Sequence, residues 1–453
     1  MVVVGAILAA APGIPVRAEP AVDVPGHGEA AGDPPILTLD DAIALALEQN
    51  RDLRQAALEA EKADERLAAT RSRFLPSFDL TVLDGRTIED VEFRFPAGAF
   101  GDLPPVGPIP ATDTDVVAPA GRMTYVVGSV TQPLTGLRRV SLSTRARALD
   151  LEIRREDLRS RRQAIIESVR RTYYDLLRTE SALEATDEGL RFLRELERVV
   201  ANLVEQRAAL QVDGLEVQAR RAAEEYEAAV LRNSLVTFKE QLNDLLGRDL
   251  DTPLAPEPVP EVVPEEADLA AARARALAER ADLRQARLRR EQAEVERRLK
   301  RWDFVPDLSL SFNYVSTSNV EVLPHNLASV GLLLTWEPFD WGRRHRATRE
   351  ADHGLEQADS ALKQAESQAA IDVGARIRAL QEARVLLEAR RLAREAARAR
   401  GQVTLDRYRQ KAALLKDVLE DQETLADAYR NYQQALAQAW TARAELERAF
   451  GRE

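Results

Sequence analysis

Residues 50–80 read NRDLRQAALEAEKADERLAATRSRFLPSFDL, and residues 280–310 read RADLRQARLRREQAEVERRLKRWDFVPDLSL. The two stretches align without a gap at an offset of 230 residues. Asp52-Leu53-Arg54-Gln55-Ala56 returns as Asp282-Leu283-Arg284-Gln285-Ala286, and Phe74, Pro76 and Leu80 return as Phe304, Pro306 and Leu310. Each copy is a polar, proline-free helical run that stops at Phe-x-Pro. Proline lacks the amide proton a helix needs and forces its predecessor into extended geometry. Beyond the proline the apolar spacing drops to two. A duplication this long sets the architecture: helix, strands, then helices, made twice.

After the second junction Leu308, Leu310, Phe312 and Tyr314 alternate with Ser309, Ser311 and Asn313. After the first, Phe78, Leu80 and Val82 alternate with Ser77, Asp79 and Thr81. Such alternation predicts strands with one apolar face. A partner strand follows each, giving four strands near 76–84, 122–132, 307–315 and 327–337. In the last, Val330, Leu332, Leu334 and Trp336 share a face. The first connection, residues 85–121, is rich in Pro, Gly and acidic residues and predicts an exposed loop; the second, Ser316–Asn326, is shorter.

Moving outward, single helices are expected from about Leu37 to Arg73, with Thr38 or Asp40 as N-cap, and over 268–303. Long helical runs follow the strands, at about 139–206 and 344–410, each on the order of 100 Å at ~1.5 Å per residue. Helices of that length are expected to pack lengthwise as coiled coils, and Gly354, Gly374 and Gly401 weaken the second only locally. A further match aligns QRAALQVDGLEVQ (206–218) with QKAALLKDVLEDQ (410–422), and the copies close on Leu246-Gly247-Arg248 and Phe450-Gly451-Arg452. The fold class is therefore mainly α with a small β part and an internal two-fold repeat. The repeats span 37–250 and 268–453, joined by a Pro- and Glu-rich linker at 251–267. Residues 1–18, apolar from Val2 to Ala11, predict a signal peptide, and 19–36 a flexible lead-in.

Charged residues make up 30% of the chain and aromatics 5%, the balance of long helices packed side by side. A net charge of −12 argues against a nucleic-acid partner. Without cysteine there are no disulfides, thiolate metal sites or lipidated N-terminal Cys. The histidines offer no metal pair, since His345 and His353 are eight apart rather than four. No phosphate-binding loop, nucleophile motif or cofactor motif occurs, so neither an enzyme nor a cofactor is expected. No window carries the ~18 apolar residues of a membrane helix, so membrane contact would have to be made by strands. Four amphipathic strands cannot close a barrel in lipid, where every edge group needs a partner. They fit either a shared barrel or a small soluble sheet packed on the helices. A soluble periplasmic coiled-coil scaffold or adaptor is the alternative reading of the whole chain.

Three further stretches stand out: Leu37-Thr38-Leu39-Asp40-Asp41 through Gln49-Asn50, the exit Pro338-Phe339-Asp340-Trp341-Gly342, and Arg407-Tyr408 with Asp417-Val418-Leu419-Glu420-Asp421-Gln422. In these, and in the two Phe-x-Pro junctions, the chain resembles the TolC family of outer-membrane efflux proteins. It implies a homotrimer whose chains give four strands each to a twelve-stranded outer-membrane barrel, above a long α-helical barrel in the periplasm. It implies a passive exit duct of a tripartite efflux pump or type I secretion system. The partners implied are outer-membrane lipid, a periplasmic adaptor and, through it, an inner-membrane transporter. By the same resemblance Asp417 and Glu420, with Asp213 and Glu216, ring the periplasmic aperture, and Tyr408 tethers Asp213. The adaptor-docking tips are Arg207, Ala208, Ala209 and Leu210 in the first repeat and Lys411, Ala412, Ala413 and Leu414 in the second. Arg207 and Lys411 stand where the family commonly has glycine.

Overall fold

The computed structural model describes residues 35–207, 209–263, 268–318, 325–410 and 412–451. The expected signal peptide, most of the lead-in, Ala208, residues 264–267, Lys411 and Arg452 lie outside them. After a short strand β1 (Ile36–Leu37) the chain forms α1 (Leu39–Gln49) and α2 (Arg51–Arg71). The single helix expected here is thus two. Thr38 caps the first by accepting from Asp41 N at 3.1 Å. Asn50 then breaks the run in extended geometry and caps the second, its Oδ1 accepting from Asp52 N (2.9 Å) and Leu53 N (3.2 Å). The second repeat breaks at the matching place, Arg280, between α5 (Leu269–Glu279) and α6 (Ala281–Trp302).

The strands come next. β2 (Ser77–Arg86) leads into residues 87–121, which are not the plain loop expected. β3 (Val91–Phe95) pairs with β6 (Thr114–Ala118), and β4 (Asp102–Leu103) with β5 (Gly107–Pro108), before β7 (Arg122–Pro133) returns. α3 (Gly136–Glu205) and α4 (Gln211–Leu245) form the first long hairpin. β8 (Ala255–Pro256) lies in the linker and pairs in parallel with β1. After α5 and α6 come β9 (Asp307–Thr317) and β10 (Asn326–Thr335), then the second hairpin of α7 (Arg343–Arg409) and α8 (Leu415–Ala449). β10 ends at Thr335, so Trp336 falls just past the strand on which it was expected.

β10, β9, β7 and β2 make one antiparallel sheet in that order. Its register carries the alternation across all four strands in the rows nearest the helices, while one row further on the polar face holds Thr81, Val127, Val315 and Leu327. Phe78, Val130, Phe312 and Val330 form one row, and Asp79, Ser129, Asn313 and Ser329 form the next. Opposed residues of an antiparallel sheet share a face. One face therefore carries the apolar row and the other the polar row. β2 and β10 are exposed along their whole length and each leaves one edge unpaired in the chain.

Helix contacts repeat this arrangement. Nearer the sheet, α2, α3, α6 and α7 lie side by side in that order; further away the order is α4, α3, α8, α7. In the sheet and at both of these helical levels the chain is four elements wide. One free side carries β10 and α7, the other β2, α2 and α4.

The core gathers where the short helices and the linker meet the long ones, around Leu53, Val169, Tyr173, Leu176, Leu242 and Leu254. Tyr173 is fully buried and ties three segments together. Its hydroxyl has one proton to donate, to Leu37 O (2.8 Å) or Glu257 O (3.0 Å), and it accepts from Glu257 N (2.8 Å). Burial pushes this phenol from 10.0 up to about 12, and burial does the same for Tyr174. Above pH 10 the unfolded chain loses these protons while the folded chain holds them, so stability is unaffected below pH 10 and falls between 10 and 12. The slope is at most about 1.4 kcal/mol per pH unit for each tyrosine. Tyr173→Phe should lower stability at neutral pH by roughly 1–3 kcal/mol, because Glu257 N loses its acceptor. It should also flatten the alkaline limb of a denaturation series; an unchanged limb would contradict this assignment.

Candidate functional site

The end of the molecule remote from the sheet is built by the turns of the two long hairpins. α3 runs out of favourable geometry at Gln206, and Arg207 takes a left-handed conformation with φ 58°. A residue with a side chain pays ~1–2 kcal/mol there and glycine almost nothing. That is the physical content of a glycine at this position, and here Arg207 bears the cost. Ala209 N closes the turn on Leu203 O at 3.2 Å, and in the second repeat Ala412 N closes on Arg407 O at 2.8 Å.

Each following helix opens in the same way. The Asp213 carboxylate accepts from Leu210 N at 2.9 Å, and the Asp417 carboxylate accepts from Leu414 N at 3.0 Å. An acid three residues into a helix that reaches back to the N-cap amide satisfies an orphan donor. The side-chain oxygen that would complete a reciprocal box is absent, because the N-cap is leucine in both copies. Asp213 and Asp417 thus fix the tips as well as charging them. The sequence signal is Leu-x-x-Asp in both repeats, where the acid caps as well as charges the tip.

The two tips lie together. Leu193, Leu196 and Val200 of α3, Val217 of α4 and Leu419 of α8 form one buried cluster, with Tyr408 of α7 packed against it. Burial, and secondarily the Asp213 charge, raise the Tyr408 phenol. Tyr408 and Asp213 are therefore close enough to feel each other, and no hydrogen bond joins them among the described residues. Glu216 and Glu420 are exposed, the latter with Lys416 at 3.5 Å. Leu210 and Leu414 are 70% and 69% exposed, so both docking candidates present an uncovered leucine.

Above the tips a groove runs between the hairpins, lined by Gly189, Arg220, Glu224, Arg398, Gln422 and Tyr429 among others. Arg220 pairs with Glu423 across it. Burial raises Glu224 above the ordinary carboxylate range. Sequence reading missed this groove, because its charges are spread over four helices. Among the described residues no cluster of His, Cys, Asp or Glu could hold a metal ion, and no helix is long and apolar enough to cross a membrane.

A sheet with an apolar row on one face, open at both edges and continuous with helices of roughly 100 Å, suits one segment of a membrane channel's wall. The chain belongs to the outer membrane efflux protein family, whose model matches residues 42–248 and 272–452. Its fold is similar to that of the outer membrane protein VceC from Vibrio cholerae, at 18% identity and TM-score 0.73, over 91% of this chain and 96% of that one. It is also similar to the CmeC outer membrane channel of Campylobacter jejuni, at 16% identity and TM-score 0.77, over 91% and 85%. The open-state MtrE channel of Neisseria gonorrhoeae follows at 19% and 0.72, over 91% and 89%. No curated protein matches the chain by sequence. The family is one of channels rather than enzymes, and the protein is an outer-membrane efflux channel with a long periplasmic extension.

Proposed function

We propose that three copies form a continuous duct that serves passively as the exit of a tripartite efflux pump or type I secretion system. The observation that carries this reading is the constant width of four. Four strands and, at two levels, four helices lie between the same two free sides. Three copies then give twelve elements in the sheet and at both helical levels, and a closed ring leaves no strand edge in lipid. In this reading the exposed leucines Leu210 and Leu414, with Arg207 and Lys411 three residues before them in sequence, receive the periplasmic adaptor. Asp213, Glu216, Asp417 and Glu420 line the aperture, and Tyr408 braces it from within the tip cluster. A soluble periplasmic scaffold would leave the apolar row of the sheet without a role.

Three copies of Asp417 and Glu420 around one axis would concentrate negative charge and favour cations there. Because Asp417 also caps α8, the informative variant is Asp417→Asn with Glu420→Gln, which removes charge and keeps an acceptor for Leu414 N. Block of single-channel current by trivalent cations added from the periplasmic side should disappear in this double variant, with conductance otherwise kept. Unchanged block would remove these residues from the constriction. Charge reversal at Arg207 and Lys411 should weaken crosslinking to the adaptor and leave the oligomer intact.

A further inference from the structure

The four helix-to-strand junctions, residues 71–77, 133–139, 297–307 and 337–349, lie at one level, where the sheet meets the helices. They hold twelve Arg or Lys against four Asp or Glu, in a chain whose net charge is −12. Some of these cations are used within the chain. Arg139 pairs with Asp307 at 3.0 Å, and Arg343 and Arg344 with Glu337 at 2.7 and 2.8 Å. Arg71, Arg73, Arg138, Arg346 and Arg349 are exposed and have no ion pair among the described residues. Arg71 stands in the last turn of α2, where the helix dipole favours a cation, so helix stability accounts for it in part. It does not account for Arg138, Arg346 and Arg349: neither α3 nor α7 has an acidic residue in its first turn, and cations there run against the helix dipole.

Aromatic rings share this level. Trp341 is 92% exposed and sits in left-handed geometry, φ 55°, with its ring edge-on to Phe339 at 5.5 Å. Asp340 holds the turn, its carboxylate accepting from Gly342 N and Arg344 N, both at 3.0 Å. Phe74, Phe304 and Trp336 are also exposed, next to the apolar face carrying Phe78, Leu308 and Leu334. Exposed aromatics bordering an apolar strand face belong at a membrane–water boundary.

We propose that this belt binds the phosphodiester headgroups of anionic phospholipid in the periplasmic leaflet of the outer membrane, at the seams between copies. The proposal rests on the three-copy reading. Arg71 and Arg73 lie on the free side formed by α2 and β2; Arg346 and Arg349 lie on the opposite one, formed by α7 and β10. Closing the ring sets these like charges beside each other across every seam. A bound anion relieves their repulsion, and two acyl chains beneath it continue the apolar face. A polybasic patch at a bilayer surface favours anionic lipid by roughly fivefold per cation.

The full chain is tested after extraction from vesicles of phosphatidylethanolamine alone and of phosphatidylethanolamine with phosphatidylglycerol. Native mass spectrometry reads the number of copies and the lipids retained in one spectrum. The wild type should retain phosphatidylglycerol in preference to phosphatidylethanolamine, and its oligomer should dissociate at higher temperature when that lipid is present. Arg71→Gln, Arg73→Gln, Arg346→Gln and Arg349→Gln together should abolish both effects, and lysine at the same four positions should restore them. Equal retention in the wild type and the glutamine variant overturns the proposal. So does full stabilisation by inorganic phosphate in phosphatidylethanolamine alone, which would make the belt a site for free anions. A copy number other than three overturns the three-copy reading itself and is read separately.

Discussion

Alanine at Gly247 should destabilise the protein by roughly 3 kcal/mol and sharply reduce the yield of assembled channel. Gly247 follows α4 at φ 71°, and a Cβ built there would lie 2.4 Å from Gln49 O and 2.8 Å from Gln49 C. The contact cannot be relieved by turning a side chain, because both atoms are backbone. Nor can the backbone withdraw cheaply. Asn50, the next residue, caps α2 and donates from Nδ2 to Leu245 O at 2.9 Å, locking the helix break onto the end of the hairpin. The second repeat has the same joint, with Gly451 at φ 78° against Glu279 O at 2.9 Å. Gly451→Ala should act in the same direction and less strongly. Gly354, inside α7 with open space around it, is the control, and alanine there should be neutral or stabilising by up to ~1 kcal/mol. Denaturation midpoints in detergent would rank the three; equal midpoints for Gly247→Ala and Gly354→Ala would contradict the joint.

The second large effect is set by the sheet register. Leu310 and Leu332 are partners on the apolar face, and Ser311 and Gly331 are partners on the polar face. Arginine at Leu310, Phe312, Leu332 or Leu334 should cost roughly 2–4 kcal/mol near the bilayer midplane. Arginine at Ser309 or Ser311 should be tolerated, since it projects into water. The measurement is the yield of heat-modifiable oligomer, and equal losses on both faces would refute the assignment of lipid and lumen.

Much of this architecture was legible because local chemistry and fold agree. Pro76 and Pro306 had to end helices, and the period-two run from Leu308 to Tyr314 needed a sheet with one apolar face. The breaks at Asn50 and Arg280 were not seen, because one residue in extended geometry leaves the helical spacing on either side almost unchanged. Only the Asn-x-Asp of the first copy hinted at a new cap. The structure within residues 87–121 was hidden because Gly and Pro mark turns without saying which short strands pair between them. At the tips, charge and spacing drew attention to Asp213 and Asp417, and the structure adds their second role, holding Leu210 N and Leu414 N. Only the family resemblance singles out Tyr408 and Asp213 as a pair; composition does not. The groove between the hairpins depends on how four helices face one another, and no single stretch of sequence encodes that.

The central claim is that the free β2 edge of one copy pairs with the free β10 edge of the next until three copies close. Within one chain these edges are separated by β7 and β9, about 14 Å at the ~4.8 Å spacing of strands. A disulfide spans at most ~7 Å between Cα atoms, so a bond between the two edges must join different chains. The protein has no cysteine of its own. A set of variants pairing one cysteine at Leu80 or Val82 with one at Val330 or Leu332, oxidised in the membrane, therefore reports that seam alone. The account predicts that pairs in register give a covalent ladder of one, two and three chains that stops at three. A ladder that ends at two, one that runs past three, or no bond between chains for any pair would contradict it.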